Sequence, residues 1–486
     1  MRLYSFGGEM AEKGKYKMGK KIKFLMINPT ASQWHVDNGK APSRKTKMFR
    51  FSMLSSLYVA ASMPSYIDTH IIDEDVEPVD FNTDADLIGI SFMTFNAPRA
   101  YEIADKFRKE KGKPVIFGGY HPTFMPEEAI KHADAICIGE AENNVPRMIE
   151  DFVTRRLKQF YRSEPVDLKG LPIPDRSLIR KSAYITPDAL QATRGCPNLC
   201  KFCSITAFFK HQFRVRPVNE VIEELKMLGR YIIFMDDNII GNRAYSKELF
   251  AKMIPLKKRW FSQCSIRIAS DNELLRLAYA SGCRGMFIGL ESLSQDNLAD
   301  CNKNFNKAND YIRAIEKIHS SGIAVYAGVV FGMDRDTSDV FEKTLTFLHE
   351  ANIDALQATI LTPFPGTPLF DDMDRQGRII DRDWSKYDFN HVVFEPRSMS
   401  PEMLNNGHNW VLSRFYSRRF ILRRLFRAFG YLSPWIIIRG PGMLNFSYRN
   451  RLKANGTFDK GKILVIPRNT DNKYAVPSQS KSVQAV

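Results

Sequence analysis

Hydrophobic residues fall in short solid runs separated by longer stretches of helical period, and this rhythm is played twice along the chain. The first set opens with the apolar run Lys23–Ile27 and continues with Ile67–Ile72, Leu87–Ser91, Val115–Phe117 and Ala135–Ile138. Helical patterns at Phe51–Ala61 and Ala100–Lys109 lie between them. Runs this uniformly apolar suit strands covered on both faces, and strands alternating with helices form parallel sheets. The pattern therefore predicts a doubly wound, Rossmann-like domain over residues 20–150. Ligands of such sheets sit beyond the carboxyl ends of the strands. That makes Ser91, Gly118, Gly119, Gly139 and Glu140 candidate cofactor contacts, the glycines because a missing Cβ lets backbone approach a bulky ligand. A tight turn alone also explains any one of them.

Residues 151–186 contain Pro165, Pro172 and Pro174 with little periodicity and are expected to be a linker. The second set follows over residues 187–380. Strands are predicted at Ala189–Thr193, Tyr231–Met235, Cys264–Ile268, Met286–Leu290, Ala324–Phe331 and Ala355–Leu361. Helices are predicted at Val218–Leu228, Ser246–Lys258, Asn272–Ser281, Ala308–Ser320 and Asp339–Glu350. Six strand–helix units fall short of the eight that close a barrel, so a partial (β/α)6 TIM-like barrel is expected, with its active side at the carboxyl ends of the strands. The alternation then stops. Residues 381–450 are expected to be a mostly helical, basic region, with Pro401–Phe429 its main helical part, and residues 451–486 a loose tail.

Composition narrows the class. The 486 residues are 44% hydrophobic and 26% charged, as in a folded globular protein. No secretory leader and no apolar run long enough to span a membrane are visible, so a cytoplasmic protein is expected. The net charge of +16 allows nucleic acid, an anionic membrane surface or acidic ligands. Much of it lies near the C-terminus. Arg414, Arg418, Arg419, Arg423, Arg424 and Arg427 share a stretch in which Phe415, Leu422, Phe426 and Phe429 recur at helical spacing. A basic amphipathic helix of this kind suits the inner face of a membrane. The plainer alternative packs the apolar stripe on the barrel and leaves the arginines in solvent.

The seven cysteines are an odd number, and Cys196, Cys200 and Cys203 crowd into one loop after the first barrel strand. Such usage points to a reducing compartment and a metal site rather than a disulfide framework. Soft thiolates favour zinc or iron–sulfur sites. Zinc needs a fourth ligand, and His211, the nearest candidate, matches no common finger spacing. A four-iron cluster with three protein ligands keeps one iron open. Cys264, Cys283 and Cys301 are expected to act as small buried or half-buried residues.

The loop Arg194-Gly195-Cys196-Pro197-Asn198-Leu199-Cys200-Lys201-Phe202-Cys203 carries Cys-x3-Cys-x2-Cys and resembles that of the radical S-adenosylmethionine (SAM) superfamily. The resemblance implies a 4Fe–4S cluster on Cys196, Cys200 and Cys203. Its open iron would bind the amino and carboxylate groups of SAM, and reductive cleavage would yield a 5′-deoxyadenosyl radical. Phe202 matches the family position that contacts adenine, with packing against the loop as the alternative. Met235–Asn238 ends the second predicted strand and Gly289–Ser292 the fourth. By comparison with the family, Asp236 and Glu291 are expected to bind the SAM amino group or ribose hydroxyls. Arg267 is expected to meet the SAM carboxylate or to form a salt bridge at the barrel rim.

The run Gly118-Gly119-Tyr120-His121-Pro122-Thr123, with Pro126-Glu127-Glu128 and Ile138–Glu142, resembles the front domain of the cobalamin-binding radical SAM subfamily. The resemblance spans about residues 20–400. It implies cobalamin as a further cofactor, an external electron donor of flavodoxin or ferredoxin type, and methyl transfer to an unactivated carbon or a phosphorus centre. One SAM would methylate the cobalamin and another would supply the radical. Ring closure or rearrangement is the alternative outcome. The Asp-x-His-x-x-Gly cobalt-ligand motif is absent, since the loop reads Gln33-Trp34-His35-Val36-Asp37-Asn38-Gly39. His35 and His121 are accordingly expected to be surface residues or to lie one layer away from the cofactor. The substrate is expected to be a small molecule or lipid, such as a hopanoid or other isoprenoid. RNA methylthiolation fits poorly, with only Cys137 ahead of the cluster loop and a helical tail, so no nucleic-acid partner is expected. A zinc-binding regulator is the non-catalytic alternative.

Overall fold

The computed structural model describes residues 21–31, 50 and 52–460, so the loop Gln33–Gly39 with His35 lies outside the described residues. The first sheet is built from β1 (Ile22–Asn28), β2 (Ile67–Asp73), β3 (Leu87–Ser91), β4 (Val115–Gly118), β5 (Ala135–Ile138) and β6 (Phe160–Arg162). Their order is β2-β1-β3-β4-β5-β6, and every neighbouring pair is parallel. Successive side chains of a strand point to opposite faces. Phe24 and Met26 of β1 accordingly enter one apolar core and Leu25 and Ile27 the other, so both faces are dry. Chain order reverses between β1 and β3, and the crevice beyond their carboxyl ends is where ligands of doubly wound sheets bind.

Residues 151–186 are not a plain linker. Residues 160–162 form β6, which closes the edge of the first sheet and buries Tyr161 at 2% exposure. Three residues are too few to show a period in sequence.

The second domain holds β7 (Ala189–Leu190), β8 (Thr193–Arg194), β9 (Arg214–Val215), β10 (Tyr231–Phe234), β11 (Arg259–Cys264), β12 (Cys283–Glu291), β13 (Ala324–Phe331) and β14 (Ala355–Ile360). Six of them form an open parallel sheet in the order β14-β13-β12-β11-β10-β7, while β8 and β9 make a small antiparallel pair. This is the partial barrel. Two strands differ from expectation. The first ends at Leu190, because the backbone around Thr193 turns away to pair with β9. The third is β11, ahead of the run Cys264–Ile268, where residues 266–270 instead form a 3₁₀ turn started by Ser265, whose hydroxyl accepts from the Arg267 N–H. The alternation of Trp260, Ser262 and Cys264 marks β11 as buried on one face, but Arg259, Ser262 and Gln263 break up its apolar signal.

The C-terminal helix Pro401–Phe415 lies on the helix Val340–Glu350 and on β14. Close approach is possible because Gly407 faces Phe341, where a Cβ would sit 2.2 Å from the ring. Further helices run at Arg418–Ala428, Met443–Ala454 and Thr457–Lys460, so residues 451–454 and 457–460 are helical where a loose tail was expected. Residues 461–486 lie outside the described part. No helix among the described residues is long and apolar enough to cross a membrane.

Beside Gly407, His408 is 2% exposed, and its Nε2 donates to the Ala358 carbonyl at 3.0 Å. Burial lowers its pKa from 6.5 to about 4, so it is held neutral. In the unfolded chain the same imidazole binds a proton at higher pH, and stability must therefore fall as the solution is acidified. Urea melts should show a loss of about 3 kcal/mol as pH drops from roughly 6.5 to 4. His408→Gln should flatten that part of the profile, whereas an unchanged profile contradicts this assignment.

Candidate active site

The three cysteines follow β8, and their loop is fixed from several sides. Gly195 turns the chain at φ +78°, where a Cβ would sit 2.0 Å from the Gln212 carbonyl, so glycine is required. Its N–H donates to Asp237 Oδ2 at 3.0 Å. Further on, the Lys201 N–H donates to the Cys301 carbonyl at 3.1 Å, and the Lys201 carbonyl accepts from the Leu369 N–H at 3.2 Å. Cys203 sits at the start of the short helix Ser204–Phe208. Cys200 is buried, and Cys196 and Cys203 are half-buried. Burial pushes the Cys200 thiol up to about 12 and raises Cys196 and Cys203. Amide donors already point at sulfur: the Nδ2 groups of Asn198 and Asn238 lie 3.5 and 3.8 Å from Cys196 Sγ. Hydrogen bonds of this kind orient a ligand and stabilise its thiolate.

Asp236 does not face a ligand. Its Oδ1 accepts from the Thr193 N–H and hydroxyl, and its Oδ2 accepts from the Ala192 N–H. Burial nevertheless raises its pKa to about 7. It pins the backbone that leads into the cysteine loop and is a positioning residue, contrary to its expected contact with SAM. Its neighbours Asp237 and Asn238 are the side chains of that segment that reach the loop. Arg267 lies on the 3₁₀ turn after β11 and is exposed.

Glu291 does come to the loop. It ends β12 in the left-handed region at φ 68°, across an irregularity in the pairing with β13. A non-glycine residue held there marks a place where surrounding structure dictates the backbone. Gly289 makes room, since a Cβ on it would lie 2.2 Å from Glu291 Oε1. The Lys303 ammonium donates to Glu291 Oε1 at 2.6 Å and lies 5.9 Å from the centre of the Phe202 ring. Burial disfavours this cation, but Glu291, Cys200 and Cys203 outweigh that penalty and raise its pKa. Sequence reasoning missed Lys303. It stands twelve positions after Glu291, outside any strand-end motif, and no local spacing marks it.

Lys303→Met should leave Glu291 without its cation, at a cost of about 3 kcal/mol for a largely buried pair. It should also shift the midpoint potential of the reconstituted cluster to a more negative value, because a positive charge beside two thiolates has gone. Thermal melts and potentiometric EPR check the two effects separately.

In the front domain, Ser91, Gly118, Gly119 and Gly139 line one cleft together with Phe24, Gly89 and Cys137. Gly119 adopts φ +99°, and a Cβ on it would lie 2.7 Å from the Phe92 carbonyl oxygen, while one on Gly139 would project into open space. Glu140 has another task. Its two oxygens hold Arg194 Nη1 and Arg214 Nη1, each at 2.8 Å, and Arg194 also bonds Glu142. Expected as a cofactor contact, Glu140 instead ties the front domain to the residue two places before Cys196. His121 is not a surface residue. It is fully buried, with Nε2 3.0 Å from the Tyr101 hydroxyl and its ring beside Trp384.

The two carboxyl-end faces meet. Tyr120, next to the paired glycines, packs its ring 4.4 Å from Phe208 on the helix that follows Cys203. Phe124 fills the space over Gly366, where a Cβ would lie 2.1 Å from its ring. Trp384 Nε1 donates to Glu128 at 2.8 Å and closes the junction from the C-terminal side.

The residues fit the implied groups. Among the described residues no set of three His, Cys, Asp or Glu side chains is placed to hold a single metal ion, and His211, the nearest candidate for a fourth zinc ligand, is exposed. Three thiols on one loop suit a four-iron cluster that keeps one iron open. Gly118, Gly119 and Gly139 lie at the strand ends beside the crevice where ligands of doubly wound sheets bind.

A double-layered architecture of this kind, a B12-type sheet facing a three-cysteine partial barrel, defines the class. Residues 52–149 match the B12 binding domain and residues 190–348 the Radical SAM superfamily. The chain belongs to the cobalamin-binding radical SAM enzymes, which use a 4Fe–4S cluster, SAM and cobalamin. It is 32% identical to the bacteriochlorophyllide d C-12(1)-methyltransferase of Chlorobaculum tepidum, over 83% of this chain and 89% of that protein. It is 26% identical to the hopanoid C-2 methylase of Rhodopseudomonas palustris, over 75% of this chain and 74% of that one. Among solved structures, the radical SAM methyltransferase TsrM of Kitasatospora setae, with cobalamin and cluster bound, aligns with a TM-score of 0.62 at 13% identity, covering 89% of this chain and 100% of that one. OxsB, with aqua-cobalamin and SAM bound, gives 0.63 at 17% identity, covering 90% and 72%.

Proposed function

We propose that this enzyme transfers a methyl group to an unactivated carbon of an apolar small molecule or lipid of the polycyclic, hopanoid-like kind. The supporting observation is the junction of the two domains. The carboxyl-end faces of the two domains meet there, with Tyr120 packed on Phe208 and Arg194 paired with Glu140. When bound, the cluster and SAM supply radical chemistry and the cobalamin supplies methyl carriage. The protein's share is placement. Cys196, Cys200 and Cys203 hold the cluster, and Asp237 and Asn238 hold their loop. Glu291 and Lys303 stand at its rim as the polar groups available to SAM, with Phe202 beside them for its adenine. The aromatic wall of Tyr120, Phe124 and Phe208 keeps water from the space between. The relatives named for methyl transfer to bacteriochlorophyllide d and to hopanoids favour an apolar substrate. Cytoplasmic location at the inner face of the membrane and reduction by a flavodoxin or ferredoxin complete the reading.

The anaerobic magnesium-protoporphyrin IX monomethyl ester cyclase of Cereibacter sphaeroides is 24% identical, which keeps ring closure as a second reading. Anaerobic incubation of reconstituted protein with SAM and reductant, with and without cobalamin, distinguishes them. Methyl transfer requires S-adenosylhomocysteine and 5′-deoxyadenosine together, with the former dependent on cobalamin. Formation of 5′-deoxyadenosine alone would refute methyl transfer and favour the cyclase reading.

A further inference from the structure

The C-terminal helices carry an apolar surface that the fold does not use. Residues 403–458 contain ten Lys and Arg and no Asp or Glu. Within the helix Arg418–Ala428, the buried side is Ile421, Arg424 and Ala428. Arg424 is consumed by folding. Its Nη1 donates to the Phe415 carbonyl at 2.7 Å, its Nη2 donates to Asn445 at 2.6 Å, and its guanidinium covers the Phe415 ring at 3.7 Å. The stripe read as meeting a membrane surface or, in the plainer alternative, packing on the barrel is split: Phe415 is fully buried, whereas Leu422, Phe426 and Phe429 are 59%, 79% and 57% exposed. They recur at four and then three residues, so they share one face of the helix. Trp435 and Ile438, further along the same basic region, are also exposed, at 56% and 63%. Arg419, Arg423, Arg427 and Arg439 are exposed as well, with Arg439 stacked on Trp435 at 3.8 Å.

Bulky apolar side chains this exposed and this close together mark an interaction site, because scattered single ones are what a monomer tolerates. We infer that this face docks onto an anionic phospholipid bilayer. Aromatic and aliphatic side chains enter the boundary between headgroups and acyl chains, while arginines snorkel to the phosphates. Charge selects this occupant. A two-fold contact between copies would set one arginine rim against another, and a nucleic acid would leave Leu422 and Ile438 facing a polar groove. Attachment would be peripheral, since no described helix can span a bilayer.

The face sits far from the chemistry. Ala428, Leu432 and Ile437 pack on Ala324, the first residue of β13, and the Tyr431 hydroxyl donates to Asp354, one residue before β14. These are the amino ends of the strands, whereas the cysteine loop follows β8, which comes after the carboxyl end of β7. The surface therefore tethers the enzyme and leaves the mouth of the site away from the bilayer.

The test is co-sedimentation of the full chain with phosphatidylcholine vesicles, with or without phosphatidylglycerol, at low and moderate salt. Binding is expected to the mixed vesicles only and to weaken with salt. Arg419→Gln/Arg423→Gln should weaken it about thirtyfold, at about 1 kcal/mol per arginine. Leu422→Ser/Phe426→Ser should abolish pelleting while leaving the melting temperature and 5′-deoxyadenosine formation unchanged, which separates failure of the tether from failure of the enzyme reading. No pelleting with either vesicle overturns the inference. So does a native dimer that Leu422→Ser/Phe426→Ser makes monomeric, or binding seen only after residues 461–486 are removed, because another occupant then covers the face.

Discussion

Cys200→Ala is expected to abolish cluster assembly and to lower 5′-deoxyadenosine formation by at least about a thousandfold. The loss removes one of the three thiols on the loop, Cys196 and Cys203 being the others. Iron and sulfide content and the brown visible absorption should fall together. The fold should survive, because the truncation removes one sulfur from a loop whose backbone is held by Asp237, Cys301 and Leu369. Cys264→Ala is the matching control. Cys264 is 3% exposed in the barrel core, with its sulfur 3.3 Å from Met286 Sδ. That variant should lose about 1–2 kcal/mol of stability and keep its iron. An iron-replete Cys200→Ala protein would contradict the assignment.

Arg194→Gln should have the largest effect on stability. The guanidinium joins Glu140 and Glu142 of the front domain to the barrel, and all three side chains are less than a tenth exposed, at 7%, 7% and 9%. Removing a cation from such a group leaves carboxylates buried without compensation, at a cost of about 3–5 kcal/mol. Arg214 still reaches Glu140, so the residual penalty should fall mainly on Glu142. Adding Glu142→Gln should recover part of the loss, with a coupling energy of at least about 1 kcal/mol in a double-mutant cycle. Because the pair spans the junction, the single variant should also become sensitive to protease between residues 151 and 186 and bind cobalamin less tightly. Equal melting temperatures for the variant and the parent would mean that this ion-pair group does not hold the junction.

These two variants also show what the chain discloses before it folds. The cysteine loop is legible because its chemistry is local: three thiols, their spacing and a preceding strand are all within sight of one another. The parallel sheets are legible for the same reason, since strands buried on both faces carry continuous apolar runs. Arg194 beside Glu140 is not, because the partners are far apart in sequence and nothing about a glycine–glutamate pair at a strand end distinguishes a cofactor contact from an ion pair. Asp236 misleads in the same way. A carboxylate at the end of a barrel strand reads as a ligand for SAM, yet its oxygens are used up by Ala192 and Thr193. Lys303 is hidden because its role depends on the left-handed turn at Glu291, a backbone feature with no signature beyond Gly289. The amphipathic tail is visible as a pattern, but only the structure shows which side of it the barrel covers.

Methyl transfer from SAM by way of cobalamin would require that the front-domain cleft and the cysteine loop face each other across one shared space. Pulsed EPR on reconstituted protein, with cob(II)alamin and the reduced cluster present together, addresses this without knowledge of the substrate. The cob(II)alamin signal should relax much faster when the cluster is reduced than in Cys200→Ala, as two nearby spins require. A relaxation rate indifferent to the cluster would place the two cofactors apart and contradict the shared space.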